Sequence, residues 1–576
     1  MKQPKPVDVR QREVPELSAP VHDNPLMNRI LAARGICHRD DHSFSLRDMP
    51  SPHTLPDINA AVQRLIKARS ANERILIVGD YDCDGATSTA VAMLGLRMLG
   101  FQHVDYIIPS RFDNGYGLSP AIVDIAHAKH QAQLILTVDN GVASVSAVAH
   151  AAAQQIDVIV TDHHLAPEQL PSALAIVNPT LPGVDFDGQN LAGVGVIFYT
   201  LIALRSSLKL DEDDFADAPL QQLLDLVAIG TVADVVKLDK LNRKLVEQGL
   251  RRIRAGHTRP GVLALLAVAG RDASRVTTQD IGFAIGPRLN AAGRIDDMRI
   301  GVQCLLSESQ EAADSMAAEL DKLNVKRRSI EGDMQKDALA QLDAISLDAD
   351  ATQNLFAICL RNDSWHEGVI GILAGRIKEL TYKPVVIFTE DDENHLKGSA
   401  RSIPGVHIRD VLQNIAAQHT QMITKFGGHA MAAGLTLRKS CFEEFRTRLN
   451  ESVSLRLNGQ HSQREYVTDG ALDASERTLE NAMLLATGMP WGQGFEAPLF
   501  CDRFQVVMQK PVRNGHLQLR LKAPDNPQSF KAIAFNQTPI VSDGEWVRAV
   551  YALEANQFRS EYTVQLRIQY LEAVEA

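Results

Sequence analysis

Aspartate and histidine residues cluster at three points in the first third of the sequence. The residues are Asp80, Asp82, Asp84, Asp139, Asp162, His163 and His164. No lysine or arginine is interleaved within the first or the last of these clusters. Crowded carboxylates repel one another unless cations neutralise them, and carboxylate oxygens with imidazole nitrogens suit Mn²⁺ or Mg²⁺ better than a thiolate-binding metal. The residue types therefore predict a divalent metal centre.

A metal centre of this composition is suited to phosphoryl hydrolysis. One aspartate shared between two ions about 3.5–4 Å apart is a common arrangement for two-metal hydrolysis of phosphate esters. Asp234 is a further candidate, because it lies in an otherwise apolar helical stretch where a lone carboxylate would be costly. The alternative is that Asp139 or Asp162, taken singly, caps a helix. The seven clustered residues other than Asp234 all follow short apolar runs, and this shared position favours the metal site.

Three short apolar runs precede the three clusters. They cover residues 75–78, 134–138 and 158–160, and a helix-like stretch over 87–99 follows the first run. Apolar runs that alternate with helices predict a parallel sheet buried on both faces. Ligands in such folds bind at the carboxyl ends of the strands. We therefore expect the sheet to bring the acidic clusters together at that edge.

The middle of the chain has a long helical pattern. Residues 307–345 carry an apolar stripe at three- and four-residue spacing, which predicts one helix connecting two lobes. A second, smaller α/β unit is predicted to follow it. Its strands are expected at 355–360 and 385–388, with a helix at 369–380 between them.

The last part of the chain, from about Phe504, alternates apolar and polar residues. Clear examples are residues 516–521, 546–551 and 562–568. About five half-buried antiparallel strands fit into this segment. Their number and length predict a small barrel such as the OB-fold.

Composition and charge limit the class of protein. Of the 576 residues, 45% are hydrophobic and 22% charged, which excludes collagen-like and wholly disordered chains. Lys+Arg 59 minus Asp+Glu 70 gives −11, so a nucleic acid would have to be held by a local basic groove. Six scattered cysteines without a Cys-x-x-Cys pair fit a reducing cytoplasm. The longest apolar stretch, 191–204, predicts a buried helix rather than a membrane span, so we expect a soluble cytoplasmic protein.

The motifs around these residues resemble those of a known superfamily. Gly79-Asp-Tyr-Asp-Cys-Asp-Gly85, Val138-Asp-Asn-Gly141, Asp162-His-His164 and Thr231-Val-Ala-Asp234 resemble the four motifs of the DHH phosphoesterases. Four further motifs resemble the RecJ branch of this superfamily, whose members are single-strand-specific DNA exonucleases. These motifs are Gly286-Pro-Arg-Leu-Asn-Ala-Ala-Gly-Arg294, Trp365-His-Glu-Gly-Val-Ile-Gly371, Gly398-Ser-Ala-Arg-Ser402 and Phe426-Gly-Gly-His429. Cys83 departs from the small residue usual between the acids. The resemblance covers nearly the whole chain.

The resemblance implies an α/β fold class with a parallel-sheet DHH domain and a smaller α/β DHH-associated domain. A long helix joins them, and a C-terminal OB-fold β-barrel follows. The predicted boundaries are a leader at 1–60, the DHH domain at 61–306, the connecting helix at 307–350, the DHH-associated domain at 351–450 and the OB-fold domain at 451–576.

The resemblance also implies roles for the acidic clusters. Two ions, Mn²⁺ or Mg²⁺, would be held by Asp80, Asp82, Asp84, Asp139, His163 and Asp234. Catalysis would depend on Asp82, Asp139 and His164. His164 is expected to contact the scissile phosphate as a charge stabiliser or acid rather than as a metal ligand.

DNA contacts are implied for a third set of residues. They are Arg111, Arg288, Asn290, Arg294, Ser399, Arg401, Gly427, Gly428 and His429. Arg288, Asn290 and Arg294 are expected in a glycine-containing loop that forms a nucleotide track. Without the resemblance, each arginine could be an ordinary surface residue and Gly427-Gly428 a plain turn.

The predicted function is exonucleolytic degradation of single-stranded DNA in the 5′-to-3′ direction, for repair and recombination. The expected partners are single-stranded DNA, a helicase and a single-strand-binding protein, and the expected state is a monomer. The nearest alternative is a DHH phosphodiesterase for short RNA oligomers or cyclic dinucleotides, which needs no C-terminal barrel. Two more distant candidates are a manganese pyrophosphatase, which shares the chemistry but not the size, and a binding protein with an inert metal site.

Overall fold

A computed structural model describes residues 7–110, 117–210, 213–346, 354–512, 515–537, 539–558 and 561–575. The chain divides into two compact units, which are described separately. The larger unit comprises Arg10–Asp321 and Val467–Ala576, and the smaller comprises Met1–Val9 and Lys322–Tyr466.

The larger unit contains the predicted parallel sheet. Its strands, in spatial order, are β3 (Val104–Ile107), β2 (Ile75–Val78), β4 (Leu134–Val138), β5 (Asp157–Thr161) and β6 (Ala175–Val177). All neighbouring strands in it are parallel. The three apolar runs are β2, β4 and β5, and β2 and β4 are buried at every position because helices cover both faces of the sheet. This confirms the predicted sheet.

Helices make up most of the rest of the larger unit before its barrel. They are α1 (Pro25–Ala32), α2 (Ile58–Ser70), α3 (Cys83–Met98), α4 (Pro120–Ile125), α5 (Val145–Ala153), α6 (Gly193–Leu210), α7 (Leu224–Ala233), α8 (Lys240–Arg254), α9 (Pro260–Val268), α10 (Thr278–Asp280), α11 (Gly286–Ile295) and α12 (Arg299–Leu306). The helix α3 begins at Cys83, four residues before the predicted start, because the Asp82 side chain accepts a hydrogen bond from the Gly85 amide and caps it.

Most of the apolar stretch 191–204 lies in α6, which begins at Gly193 and continues beyond the stretch to Leu210. By length and composition α6 alone, among the described residues, could cross a membrane. However, 67% of it is buried inside the fold, and it packs against α3. A core helix of a folded domain passes the same length and composition test.

The helix α13 (Gln310–Ser346) has 37 residues and confirms the predicted long helix. The division between the units falls within it, between Asp321 and Lys322. In the smaller unit, a sheet has the order β10 (Ile423–Gly428), β11 (Ala432–Arg438), β9 (His395–Arg401), β8 (Val385–Glu390), β7 (Ile358–Arg361). Its helices are α14 (Ile370–Thr381), α15 (Ile408–Gln418) and α16 (Phe442–Arg456). The predicted strands and the helix between them are therefore present.

The larger unit ends in a closed five-stranded barrel. Its strands, in spatial order, are β13 (Phe500–Val512), β14 (His516–Lys522), β15 (Ser529–Ala534), β17 (Glu561–Val574) and β16 (Trp546–Phe558). In β14 the leucines 517, 519 and 521 are buried while the residues between them are exposed, so the alternation in the sequence is the inside–outside pattern of a barrel wall. The predicted barrel is confirmed. The remaining elements are α17 (Leu479–Thr487) and the two-stranded sheet of β1 (Asp8–Gln11) and β12 (Glu465–Thr468).

Candidate metal centre

The first acidic cluster lies where β2 ends and α3 begins. Asp80 and Asp84 are buried, although a buried carboxylate normally requires compensation. A side chain at Gly85 would overlap the backbone of Asp80, so only glycine allows this tight connection. The turn therefore concentrates three carboxylates at the carboxyl end of β2.

The second cluster follows β4, where Asp139 adopts a left-handed backbone conformation with φ +62°. This conformation is uncommon for a residue with a side chain and is typical of functional sites. The buried Asn140 side chain donates hydrogen bonds to the carbonyls of Val78 and Val138, both at 2.9 Å, and accepts one from the Leu118 amide. Asn140 thus joins the ends of β2 and β4 and fixes the position of Asp139. Sequence reasoning assigned Asn140 no role, although its place in Val138-Asp-Asn-Gly141 was visible.

The third cluster is organised by Asp162. Its Oδ1 accepts hydrogen bonds from the His163 and His164 amides and lies 2.7 Å from His164 Nδ1, while Oδ2 accepts from the Val142 amide. Through these hydrogen bonds the Asp162 carboxylate positions the loop after β5 and the His164 ring. Burial opposes a charge on His164, but the hydrogen bond to Asp162 and its negative charge outweigh burial and raise the pKa of His164 to about 9.

His163 connects the second cluster with the end of α7. Its Nε2 lies 3.1 Å from Asp139 Oδ1 and 3.5 Å from Asp234 Oδ2. Asp234 is the C-cap residue that directly follows α7, and the next residue, Val235, has φ +63°. A β-branched residue in this conformation is a strained outlier, so the surrounding fold imposes the end of the helix at Asp234.

Three groups of side chains have ligand atoms within 4.8 Å of one another. They are Asp80 with Asp82 and Asp139, Asp84 with His163 and Asp234, and Asp139 with His163 and His164. The structure therefore brings together all six predicted ligand residues and His164. Carboxylate oxygens alone, or with one or two imidazoles, fit Mn²⁺ or Mg²⁺. Asp139 and His163 each belong to two groups, which is the sharing that a pair of ions requires.

Burial and mutual repulsion both act on these carboxylates. Burial, followed by the charges of Asp84 and Asp82, raises the pKa of Asp139 well above its ordinary value, and the same causes raise that of Asp234. Burial and the Asp82 charge raise the pKa of Asp84 to about 7. In the metal-free chain the carboxylates are therefore poorly compensated, which is the condition that a divalent cation relieves.

The predicted nucleotide loop at 286–294 is wrong, because these residues form the helix α11. Asn290 Oδ1 accepts a hydrogen bond of 2.8 Å from the Cys83 amide, inside the first acidic motif. A side chain at Gly293 would overlap the carbonyl of Tyr81. Asn290 and Gly293 therefore face the metal-binding turn. The arginines of this motif lie on the same helix: Arg288 pairs with Asp321 at 2.8 Å, and Arg294 lies in the last turn.

In the smaller unit, Ser399 and Arg401 lie on β9. Arg401 Nη1 donates to the Ala400 carbonyl at 2.8 Å and to Ser399 Oγ at 3.3 Å. A Cβ on Gly371, in the first turn of α14, would lie 3.0 Å from both Arg401 Nη2 and Ser399 Oγ. Among the described residues no carboxylate forms an ion pair with Arg401, and burial lowers the pKa of its guanidinium with no opposing charge. We call Ser399, Arg401 and the start of α14 the arginine cluster.

The remaining predicted DNA contacts lie at the hairpin between β10 and β11. Gly427 and Gly428 end β10 and oppose Gly434 and Ala433, and the His429 amide donates to the Ala432 carbonyl at 2.7 Å. Gly428 has φ +136°, and a side chain there would overlap Ala432, whereas the space beside Gly427 is open. Gly428 is thus required by the turn itself. Arg111 lies outside the described residues.

Comparison with known proteins identifies all three parts of the chain. The DHH family N-terminal domain matches residues 74–231, the DHHA1 domain matches 352–455, and the RecJ OB domain matches 468–570.

Whole-chain relatives agree with these matches. The single-stranded-DNA-specific exonuclease RecJ of Escherichia coli K12 is 45% identical over 570 residues, which cover 98% of each chain. The protein of the same name from Haemophilus influenzae is 44% identical over 576 residues, covering 98% of this chain and 99% of that one. The crystal structure of Thermus thermophilus RecJ in complex with Mn²⁺ matches with a TM-score of 0.81 and 27% identity over 99% of this chain and 80% of that chain. The Mg²⁺ complex matches with a TM-score of 0.75 and 26% identity, covering 99% and 79% of the two chains. The chain therefore belongs to the RecJ family of single-stranded-DNA-specific exonucleases.

Proposed function

We propose that this protein is an exonuclease that degrades single-stranded DNA in the 5′-to-3′ direction by two-metal hydrolysis of phosphodiesters, in DNA repair and recombination. The convergence of six ligand residues at the carboxyl ends of β2, β4 and β5 and at the end of α7 carries the proposal. Family membership supplies the substrate class, because the relatives are named for activity on single-stranded DNA.

We assign six residues as ligands of two ions, Mn²⁺ or Mg²⁺. They are Asp80, Asp82, Asp84, Asp139, His163 and Asp234. When bound, such ions lower the pKa of a bound water and neutralise charge on a phosphate. Asp139 is assigned as the shared ligand because it lies in two of the three groups and directly contacts His163. Asp82 combines ligation with capping of α3, which holds its carboxylate in place.

His164 is assigned to the scissile phosphate. The Asp162 carboxylate hydrogen-bonds Nδ1 and favours the charged ring, so Nε2 is the atom that would donate to a phosphate oxygen. The His164 side chain is 33% exposed, whereas that of Asp162 is 1% exposed. We therefore assign Asp162 as a positioning residue, which acts through the His164 ring and through the loop that carries His163.

The arginine cluster is assigned to the terminal 5′ phosphate. A helix N-terminus, a serine hydroxyl and a guanidinium without a carboxylate partner are the donors that bind phosphate dianions elsewhere. Binding of one end of the strand would give the enzyme its polarity. Contacts to the rest of the DNA strand are proposed for Gly427, His429, Arg288, Arg294 and Arg111.

The barrel is proposed to hold the incoming strand. Arg520 and Lys531 lie directly opposite each other on β14 and β15, and both are exposed. Like charges in directly opposed positions are unfavourable unless an anion lies across them. A strand of DNA on this face would provide that anion and account for binding by a protein of net charge −11.

We also propose a cytoplasmic monomer that works with a helicase and a single-strand-binding protein. The six cysteines are all free, which fits a reducing compartment. An enzyme restricted to single strands needs another protein to open a duplex, and this need is the reason for proposing a helicase.

One preparation tested on four substrates decides between the proposed function and its rivals. With Mn²⁺, we expect rapid release of nucleotides from long 5′-labelled single strands and little from a blunt duplex, cyclic dinucleotides or pyrophosphate. The Asp139→Ala variant is the control for contaminating nucleases. Preference for dinucleotides would favour the DHH phosphodiesterase of short substrates, and release from the 3′ end would refute the proposed polarity.

A further inference from the structure

The N-terminus of α6 reaches into the metal centre. The Gly193 amide donates a hydrogen bond of 2.7 Å to Asp84 Oδ2, and the Val194 amide donates one of 3.0 Å to Asp84 Oδ1. The first amides of a helix have no partner within the helix, so they are available for such an acceptor. Both oxygens of a proposed metal ligand are therefore oriented by one helix end.

The same residue lies against a second proposed ligand. A Cβ on Gly193 would lie 2.5 Å from Asp139 Cβ and 2.6 Å from Asp139 Oδ1, closer than such atoms approach in proteins. Gly193 thus contacts Asp139 through its bare α-carbon and Asp84 through its amide. It lies between carboxylates that belong to two different motifs of the sequence.

The helix α6 has little room to retreat from this contact. It is largely buried, and it packs against α3, whose first turn carries Asp84. The helix α7 also confines this carboxylate, because a Cβ on its Gly230 would lie 2.7 Å from Asp84 Oδ1 and 2.8 Å from Val194 Cγ1 of α6. A methyl group on Gly193 would therefore displace the Asp139 side chain or lengthen the hydrogen bonds to Asp84.

We propose that Gly193 is a positioning residue of the metal centre, which sets the separation of the Asp84 and Asp139 carboxylates so that both ligate ions. This inference rests on the proposed function, which assigns Asp84 and Asp139 as metal ligands. Gly193 contacts neither metal nor DNA in this role and acts only through the two carboxylates. A glycine retained merely for helix packing would not affect metal affinity.

The test compares Gly193→Ala with Gly195→Ala. Gly195 is a matched control in the same helix, because a Cβ there would meet chiefly the side-chain end of Leu191. Mn²⁺ affinity is measured by titration calorimetry without DNA, so the result stands even if wild-type protein does not hydrolyse single strands. We expect Gly193→Ala to weaken Mn²⁺ binding by about 10- to 100-fold, as loss of a residue supporting metal ligands typically does. Gly195→Ala should bind Mn²⁺ like the wild type.

Two further measurements distinguish a loss of ligand positioning from a general loss of stability or of DNA binding. The melting temperature in EDTA and the affinity for single-stranded DNA in EDTA should be similar in both alanine variants. If Gly193→Ala does not fold, Val194→Pro removes one amide from Asp84 without adding a group beside Asp139, and proline is tolerated in the first turn of a helix. Wild-type Mn²⁺ affinity in whichever of these two variants folds would overturn the proposal.

Discussion

The metal centre and the arginine cluster are opposite in charge and alike in being incompletely compensated. At the metal centre, burial and neighbouring carboxylates raise the pKa of Asp139 and Asp234. At the arginine cluster, no carboxylate among the described residues pairs with Arg401, and burial lowers the pKa of its guanidinium. Elsewhere the chain compensates its buried charges directly: Arg34 and Asp469, both nearly inaccessible, pair at 2.6 Å.

The difference between these sites and the Arg34–Asp469 pair indicates where ligands bind. A buried or half-buried charge that its neighbours compensate only in part is costly, so two such places in one chain suggest that a bound ligand supplies the remaining charge. A divalent cation fits the acidic site and a phosphate fits the basic one. The following changes test that comparison, beginning with the largest expected effect.

Asp139→Ala should abolish hydrolysis of single-stranded DNA, since the variant loses the proposed shared ligand. In EDTA its melting temperature should rise, because a buried carboxylate with a raised pKa destabilises the folded metal-free chain at neutral pH. The increase in melting temperature on adding Mn²⁺ should shrink or disappear. Asp124→Ala is the control, since Asp124 is an exposed carboxylate paired with His150. Near-normal hydrolysis with Mn²⁺ in the Asp139 variant would show that the ligand assignment is wrong.

Arg401→Ala should slow the processing of 5′-phosphorylated strands by about one to two orders of magnitude, since a charge-assisted contact is worth about 1.5–3 kcal/mol. Strands with a 5′ hydroxyl should be affected much less. The measurement is release from end-labelled strands that carry either terminus. Arg376→Ala is the control, because Glu331 already pairs with Arg376. Equal loss on both termini would instead indicate a general backbone contact.

Asn290→Ala distinguishes a support for the metal-binding turn from a DNA contact. Loss of its partly buried hydrogen bond to the Cys83 amide should cost about 1 kcal/mol, or about fivefold in the Mn²⁺ concentration that half-saturates activity. The KM for single-stranded DNA should change little. A raised KM with an unchanged Mn²⁺ requirement would instead place Asn290 in the nucleotide track.

Replacing both Arg520 and Lys531 with alanine should have the smallest effect. Each lost phosphate contact should reduce the salt slope of single-strand binding by about 0.7, while hydrolysis of very short oligonucleotides stays unchanged. Fluorescence anisotropy across a series of salt concentrations measures the slope. Arg548→Ala is the control on the same barrel, since Arg548 pairs with Glu572. An unchanged slope in the double variant would exclude this face from strand binding.

Much of the fold could be predicted because its signals are local in sequence. The runs at 75–78 and 134–138 became strands at the predicted positions, and the alternation in 516–521 became a barrel wall. The acidic clusters converge because parallel strands end at one edge of a sheet. Residue type and strand order were sufficient for these features.

The roles of supporting residues could not be predicted in the same way. The motif predicts Asn290 in a loop beside the nucleotide, yet Asn290 lies on a helix and accepts a hydrogen bond from an amide 207 residues earlier. Gly193, 109 residues from its partner Asp84, was one glycine in an apolar stretch. Hydrophobic periodicity predicts that such a helix is buried but not which backbone amide faces which carboxylate.

The sequence by itself thus determined the kind of chemistry, the metal-binding residue types and the order of the α/β and barrel segments. Those properties follow from composition, spacing and short-range periodicity. Only the tertiary structure decided which groups position the proposed ligands and His164: Asn140 between two strands, Asp162 behind His164, and the start of α6 against Asp84 and Asp139. These contacts depend on atomic distances between elements far apart in the chain, and the packing of the helices around the sheet sets those distances.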